Sequence, residues 1–181
     1  AHYGDGNTFI RFPAADTITA ETGGSERLRI TSAGKVTIGN LASPDGNLHV
    51  YNSSAGSVTA ASDANDLVLE SSANVGMSFL TANDSLSRIK FGDPDATNAG
   101  IIAYSHADDS FQFKHTTNER LRIKSDGKIG INNASPSAIL DVVSADASGY
   151  IAEFRQSNTS NSGQIIIDSP TDGDSRPVLI D

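Results

Sequence analysis

Apolar and polar residues alternate along two neighbouring stretches near the start of the chain. Leu28 and Ile30 flank Arg29, and the same alternation continues through Val36 and Ile38. A period of two is the signature of a β-strand that has one buried face and one solvent face. The pattern therefore predicts two strands, with the apolar face inside and the polar face in solvent.

This alternating stretch occurs twice. Residues 26–30 read Glu-Arg-Leu-Arg-Ile, and the same five residues return at 119–123, an offset of 93 positions. Ala-Ser-Pro at 42–44 also recurs, at 134–136, with an offset of 92. A long period that keeps turn residues in place indicates a repeated supersecondary unit.

The register of the hairpin follows from the positions of its apolar residues. A two-residue loop in the second copy would place apolar side chains on both faces of the hairpin. A three-residue loop at 125–127 instead pairs Ile123 with Ile129, so all apolar residues share one face. Gly127 then takes the left-handed position that such loops require, as Gly34 does in the first copy.

Other short stretches between turn-rich segments also read as strands. They lie at 67–70, 77–81, 88–91, 101–105 and 111–114. No window shows the 3.6-residue periodicity of a helix. We therefore expect an all-β fold of repeated β-hairpin or meander modules.

The turn-rich and small-residue segments divide the chain into modules. We expect a first hairpin module at 1–52, truncated on its N-terminal side, and a polar connector at 53–66. A second, complete module follows at 67–143, a second connector at 144–149, and the start of a third module at 150–181. The chain does not begin with methionine, and we expect it to be a segment of a longer protein.

Composition narrows the classes of partner. Apolar residues make up 37% of the 181 residues, which predicts a thin core that neighbouring chains help to complete. The net charge is −9 and no stretch is rich in Lys or Arg, which argues against nucleic acid and against an anionic membrane surface. No apolar run approaches the roughly 20 residues that a membrane span needs, so we expect no membrane insertion. The absence of cysteine excludes disulfides and thiolate chemistry in this chain.

The four histidines do not form a recognisable site. His49 lies between two apolar residues of an alternating stretch, so we expect it on the solvent face. The second copy has Asp141 at the equivalent position, and His115 corresponds to Thr22 in the first. We therefore expect surface histidines without a catalytic or metal-binding role.

One short segment contains the residue types of a nucleophilic triad. Ser105, His106 and Asp108 lie within four positions of each other. Triad residues must converge in space, and neighbours on one strand or turn rarely do so. We expect a turn at 108–110, no catalytic residues, and a protein that is not an enzyme.

Two aspartate-rich segments suggest calcium only weakly. The pairs Asp93 with Asp95 and Asp172 with Asp174 lack the regular ligand spacing and the distal Glu of a calcium loop. We expect solvated turns, with no metal site and no cofactor.

Paired arginines are part of the repeat. Arg27 and Arg29 recur as Arg120 and Arg122 on the side that the alternation predicts to be polar. Their guanidinium groups match the oxyanions of an acidic glycan or a sulfate. We favour ion pairing between subunits with Glu26 or Glu119, or with some of the many aspartates, because repetition in every module is typical of a structural role. No binding residues are assigned from the sequence.

The segments "RFPAADTITAETGGSERLRITSAGKVTIG" and "NERLRIKSDGKIGINNASPSAILDVV" resemble repeats of tail-fibre proteins of tailed phages, especially marine cyanophages. The likeness covers most of the chain. It implies an elongated, intertwined, β-prism-like homotrimer that belongs to a virion. It also implies a role in reaching or holding the host surface.

From the residues and this resemblance we expect a structural segment of a phage tail fibre that spaces and presents receptor-binding tips. Its partners would be copies of itself and other tail or baseplate proteins, and its location the extracellular virion, after synthesis in the host cytoplasm. One alternative is that the segment itself binds a host-surface glycan or lipopolysaccharide, most plausibly around Tyr104 and Phe113. Another is a repeat of a bacterial surface adhesin.

Overall fold

The computed structural model describes residues 3–144 and 151, and within them it contains strands and turns but no helix. The prediction of an all-β fold is confirmed for these residues. The strands of the described residues are β1 (Phe9–Arg11), β2 (Ile18–Thr22), β3 (Ser25–Ile30), β4 (Val36–Ile38), β5 (Leu48–Tyr51), β6 (Leu67–Glu70), β7 (Leu86–Phe91), β8 (Gly100–Ser105), β9 (Ser110–His115), β10 (Asn118–Ile123), β11 (Ile129–Ile131) and β12 (Leu140–Val142). The third module expected at 150–181 lies outside the described residues, apart from residue 151.

The chain divides into two compact units, Ala1–Ser78 and Phe79–Asp181. Strand β6, which we had assigned to the second module, pairs with β5 and therefore belongs to the first unit. Its side chains continue the apolar rows of that sheet, which explains the pairing. Residues 77–81, expected to be a strand, form none.

The first unit contains a six-stranded sheet in the order β1-β2-β3-β4-β5-β6. Its first four strands are antiparallel neighbours. The last two pairings, β4 with β5 and β5 with β6, are parallel. A parallel pairing requires the connecting segment to return across a face of the sheet.

The second unit contains a six-stranded sheet in the order β12-β11-β10-β9-β8-β7. Strands β7 to β11 are antiparallel neighbours. Strand β12 is parallel to β11, so this sheet also has a connection that returns across one face.

The predicted hairpin register is confirmed. Ile123 lies opposite Ile129, and the first hairpin has the equivalent pairing. The glycine at the third loop position has a positive φ in both copies, 77° at Gly34 and 82° at Gly127. The three-residue loops therefore place the apolar residues of each hairpin on one face.

The polar face of the first sheet is buried, contrary to our prediction of a solvent-facing side. Thr19, Arg29, Thr37 and His49 lie side by side across four strands. The exposed fraction is 1% for Thr19, 0% for Thr37 and 1% for His49. The expectation that His49 faces solvent is therefore wrong.

The connection between β4 and β5, residues 39–47, explains this burial. It crosses the polar side, where the Nζ atom of Lys35 donates to the carbonyl oxygens of Pro44 and Asp45, both at 3.0 Å. The backbone N–H of Asp45 donates to Nδ1 of His49 at 3.3 Å. The crossover is thus held by polar groups, and it covers the face from which they come.

The apolar face of each sheet remains open in the single chain. One continuous row of the first sheet consists of Ile18, Ile30, Val36, Leu48 and Leu67. One row of the second consists of Ile89, Ile102, Phe113, Leu121, Ile131 and Val142. All of these side chains are half-buried or exposed, and Ala103 is the only fully buried hydrophobic residue among those described.

A shorter crossover in the second unit requires a glycine. The β11–β12 connection spans residues 132–139, one residue fewer than 39–47. A Cβ atom at Gly130 would lie 2.0 Å from the carbonyl oxygen of Asn133. The first copy has Thr37 at the equivalent position, where the longer connection leaves room for a side chain.

Two glycine substitutions should therefore differ in cost. Gly127→Ala meets no atom within 4 Å, so it should cost only the left-handed backbone conformation, roughly 1–2 kcal/mol. Gly130→Ala forces the crossover to move and should cost more. Urea unfolding measures both free energies, with Gly34→Ala as the control that should match Gly127→Ala. Equal costs for Gly127→Ala and Gly130→Ala would contradict the close approach of the crossover.

Candidate functional site

A β-bulge brings a glutamate and an arginine together in the first sheet. Residues three apart lie on opposite faces of a regular strand, but the β2–β3 register shifts so that Arg27 is an extra residue. Glu26 and Arg29 therefore share the polar face. They form a two-pronged ion pair with N–O distances of 2.8 and 2.6 Å.

The second sheet repeats this arrangement. The bulge lies at Arg120, and Arg122 binds both carboxylate oxygens of Glu119 at 2.6 and 2.8 Å. The pairs form within one chain, so our preferred interpretation of pairing between subunits is wrong for these arginines. The bulge arginines Arg27 and Arg120 instead donate to Thr22 and Asn132, each at 3.0 Å.

Arg122 is also the centre of a larger polar cluster. It contacts the carboxylate of Asp108 and lies 3.2 Å from Oγ of Ser110. A hydrogen bond from the Ser105 side chain, together with those from Ser110 and Arg122, lowers the pKa of Asp108. The Glu119 carboxylate raises the pKa of Arg122. Both groups therefore stay charged and paired, which is the behaviour of a structural cluster.

Of the triad residue types, the histidine is apart from the serine and the aspartate. Asp108 binds Ser110 and Arg122 on the polar side. His106 instead packs edge-on against Tyr104, with ring centroids 4.9 Å apart, and its Nε2 lies 3.4 Å from Oγ of Ser87. No hydrogen bond joins His106 to Asp108 among the described contacts.

His49 is held between a backbone donor and a carboxylate. Its Nδ1 accepts the N–H of Asp45, so the proton of the neutral ring lies on Nε2. Nε2 is 3.0 Å from Oε2 of Glu70 but is not aligned for a hydrogen bond. With the accepting nitrogen occupied and the ring buried, His49 is not available to take a proton from a substrate.

The aspartates considered for calcium form turns where the structure describes them. Oδ1 of Asp93 accepts the backbone N–H groups of Asp95 and Ala96 at 3.0 and 2.7 Å. Asp172 and Asp174 lie outside the described residues. Across residues 3–144 and 151, no group of three His, Cys, Asp or Glu side chains is placed to hold a metal ion.

A groove on the second sheet was missed by the sequence analysis. It has a volume of about 260 Å³, and its lining residues are Leu86, Arg88, Lys90, Asn98, Ile101, Ala103, Lys114, Thr116 and Thr117. Its three cations come from two separate strands, so they form no basic run along the chain. They could be grouped only once the pairing of β7, β8 and β9 was known.

Comparison with protein-family models finds no match, and no curated protein matches the sequence. Over the part of the chain that the structure describes, no helix is long and apolar enough to cross a membrane.

Burial of His49 leads to a prediction about stability. His49→Leu should lower the free energy of unfolding by about 1–3 kcal/mol, because the Asp45 N–H loses its acceptor inside the protein. His106→Leu is the matched control and should cost under about 1 kcal/mol, since this ring is half-buried and makes only one long hydrogen bond. Urea unfolding distinguishes the two. Equal effects would mean that the crossover does not depend on His49.

Acid should weaken the fold through carboxylates that accept hydrogen bonds. The backbone N–H and hydroxyl of Ser137 lower the pKa of Asp141 from its ordinary value of 3.8. A lowered carboxyl pKa gives stability that is present above the unfolded-state pKa and is lost as pH falls through the folded-state pKa.

We therefore expect the urea midpoint to fall between about pH 5 and pH 3. Asp141→Asn should reduce the size of this fall, because it removes one titrating group. A wild-type midpoint that is unchanged down to pH 3 would contradict this account.

Proposed function

We propose that this chain is a structural segment of a phage tail fibre, which spaces and presents receptor-binding tips and works as a homotrimer of repeated β modules. The observation that carries the proposal is the open apolar face of each sheet. The resemblance of the hairpin segments to tail-fibre repeats supports the same conclusion. On this proposal the protein assembles into a fibre that holds the receptor-binding tips away from the virion, and it catalyses no reaction.

The size of the open face supports association. Complete burial of a Val, Leu, Ile or Phe side chain contributes about 1.5–3 kcal/mol. A folded domain has a net stability of only about 5–15 kcal/mol. Covering several side chains of a row such as Ile18 to Leu67 would therefore change whether the sheet persists in water.

Charge limits where copies of the same chain can meet. Each chain has a net charge of −9, so copies repel one another through most of their surface. The apolar rows contain no charged side chain. These uncharged apolar faces are where chains of like charge can meet.

The two sheets support the proposal of repeated modules. Strands β2, β3 and β4 correspond to β9, β10 and β11 at an offset of 93. Both copies have the bulge, and in both the second hairpin strand pairs in parallel with the next strand. Asp16 and Asp109, also 93 positions apart, both have positive φ.

Sugar binding is a second candidate, favoured by exposed aromatic rings. Tyr104 and Phe111 pack edge to face with centroids 4.8 Å apart, and Phe113 lies nearby on the same face. Aromatic rings can carry a sugar, but here they belong to the face that a homotrimer would cover. The two functions therefore compete for one surface, and the oligomeric state separates them.

We expect a solution mass of about three times 18.9 kDa, measured by sedimentation equilibrium. Ile38→Asp, on the open face at 47% exposure, should shift the mass towards a single chain. The reason is that association would then bury an unpaired carboxylate.

Val58→Asp is the matched control. Val58 is 63% exposed but lines a cavity with Val68, on the polar side of the first sheet. This variant should keep the wild-type mass. A wild-type protein that is a stable monomer would overturn the fibre proposal and favour the adhesin or sugar-binding alternatives.

A further inference from the structure

We propose that the groove containing Arg88, Lys90 and Lys114 binds an acidic polysaccharide through its sulfate or carboxylate groups. This site would give the segment a binding activity in addition to its structural role. It lies on the polar side of the second sheet, opposite the apolar rows, so it does not depend on the proposed oligomer.

The strand register brings the three cations together. Lys90 and Lys114 lie on either side of Ile101, across three adjacent strands. Two strand spacings separate their backbones by roughly 10 Å. Arg88 is two positions along β7 from Lys90 and therefore points to the same side. The groove thus presents three positive charges around a half-buried apolar floor.

These cations are not neutralised by the described residues. No carboxylate of residues 3–144 or 151 lies within salt-bridge distance of the three side chains. Glu119 is the neighbour of Lys114 in the ladder, but both of its oxygens bind Arg122. A cluster of unpaired cations in a chain of net charge −9 is a favourable position for an anion.

Comparison of the two units indicates that Lys114 is not needed for the fold. Lys114 corresponds to Glu21 at the offset of 93, so the charge is reversed at this position of the first unit. The Glu–Arg pairs at the bulges, in contrast, occur in both units. The repeated ion pairs are structural, whereas the positive charge of Lys114 is not repeated.

Charged side chains can protect the edge of a sheet from pairing with other chains, but this explains only part of the group of three cations. β7 is the last strand of its sheet in the described residues, and charged side chains on edge strands discourage pairing with other chains. That reason applies to Arg88 and Lys90. It does not apply to Lys114, because β9 lies inside the sheet between β8 and β10.

The neutral lining favours a polysaccharide over nucleic acid. Asn98, Thr116 and Thr117 offer amide and hydroxyl groups that can hydrogen-bond sugar hydroxyls. The lining has no aromatic residue, whereas single-stranded nucleic acid is usually held by stacking on aromatic rings. Sulfate and carboxylate offer the same oxyanion chemistry to Arg and Lys, so separate probes must distinguish them.

The test is binding of the full chain to immobilised dextran sulfate and alginate, with neutral dextran as the uncharged reference. We expect binding to at least one anionic polymer, weaker at high salt, and none to neutral dextran. The double variant Lys90→Gln/Lys114→Gln should lose affinity about tenfold or more, the ratio expected for loss of one charged hydrogen bond.

Lys124→Gln/Lys128→Gln is the matched control. It removes the same charge from the same unit, but at the β10–β11 turn, and should change affinity by no more than about twofold. Lys114→Glu installs the residue that the first unit carries and gives a second variant if the glutamines alter thermal melting. The mass of each variant, measured alongside, separates loss of this site from loss of the proposed oligomer.

Three outcomes would overturn the proposal. The first is that the chain binds neither anionic polymer. The second is that the two double variants lose the same affinity for the polymer. The third is that the groove binds single-stranded oligothymidylate more tightly than it binds either polymer.

Discussion

The parallel pairing of β4 with β5 is the constraint on which the rest of the first unit depends. It obliges residues 39–47 to return across the sheet, and the groups available to hold that segment are Lys35 and His49 on the polar side. The crossover therefore covers threonine, histidine and arginine side chains. Among the described residues, the hydrophobic rows stay half-buried or exposed, which is the reverse of an ordinary two-layer domain. The crossover of the second unit, which is one residue shorter, also returns across the polar side of its sheet.

The sequence predicted the register of the two hairpins, but it did not predict which face of each sheet is covered. Gly34 and Gly127 determined the hairpin register, because only one loop length places all apolar residues on one face. Period-two alternation distinguishes two faces but does not say which one a loop will cross, so His49 was misplaced. The β-bulge at Arg27 could not be predicted either, because no residue type in the sequence signals an extra residue in a strand. In a regular strand Glu26 and Arg29 would lie on opposite faces. The bulge places them on the same face, where they form an ion pair.

Comparison of two copies within one chain separates different kinds of charged residue. Arg29 and Arg122 occupy equivalent positions, bind equivalent glutamates and lie on the covered face. Lys114 has an acidic equivalent, Glu21, which pairs with Arg11 at 3.0 Å. The repeat thus keeps its Glu–Arg ion pairs, while the charge at one other position of the same face changes sign. The repeated arginines are thus already paired within the chain, whereas Lys114 has no counterpart of the same charge in the first unit.

The order of the strands also bears on how each sheet forms. In both units every strand pairs with its neighbour along the chain, and the longest connection between paired strands, residues 52–66, is short. Closing such loops costs little chain entropy, and topologies of this kind fold faster than those with distant pairings. A sheet can therefore grow one strand at a time from its first hairpin, even while the chain is still being synthesised. If faces of separate chains then meet, that later step is the slow one, and its rate depends on protein concentration.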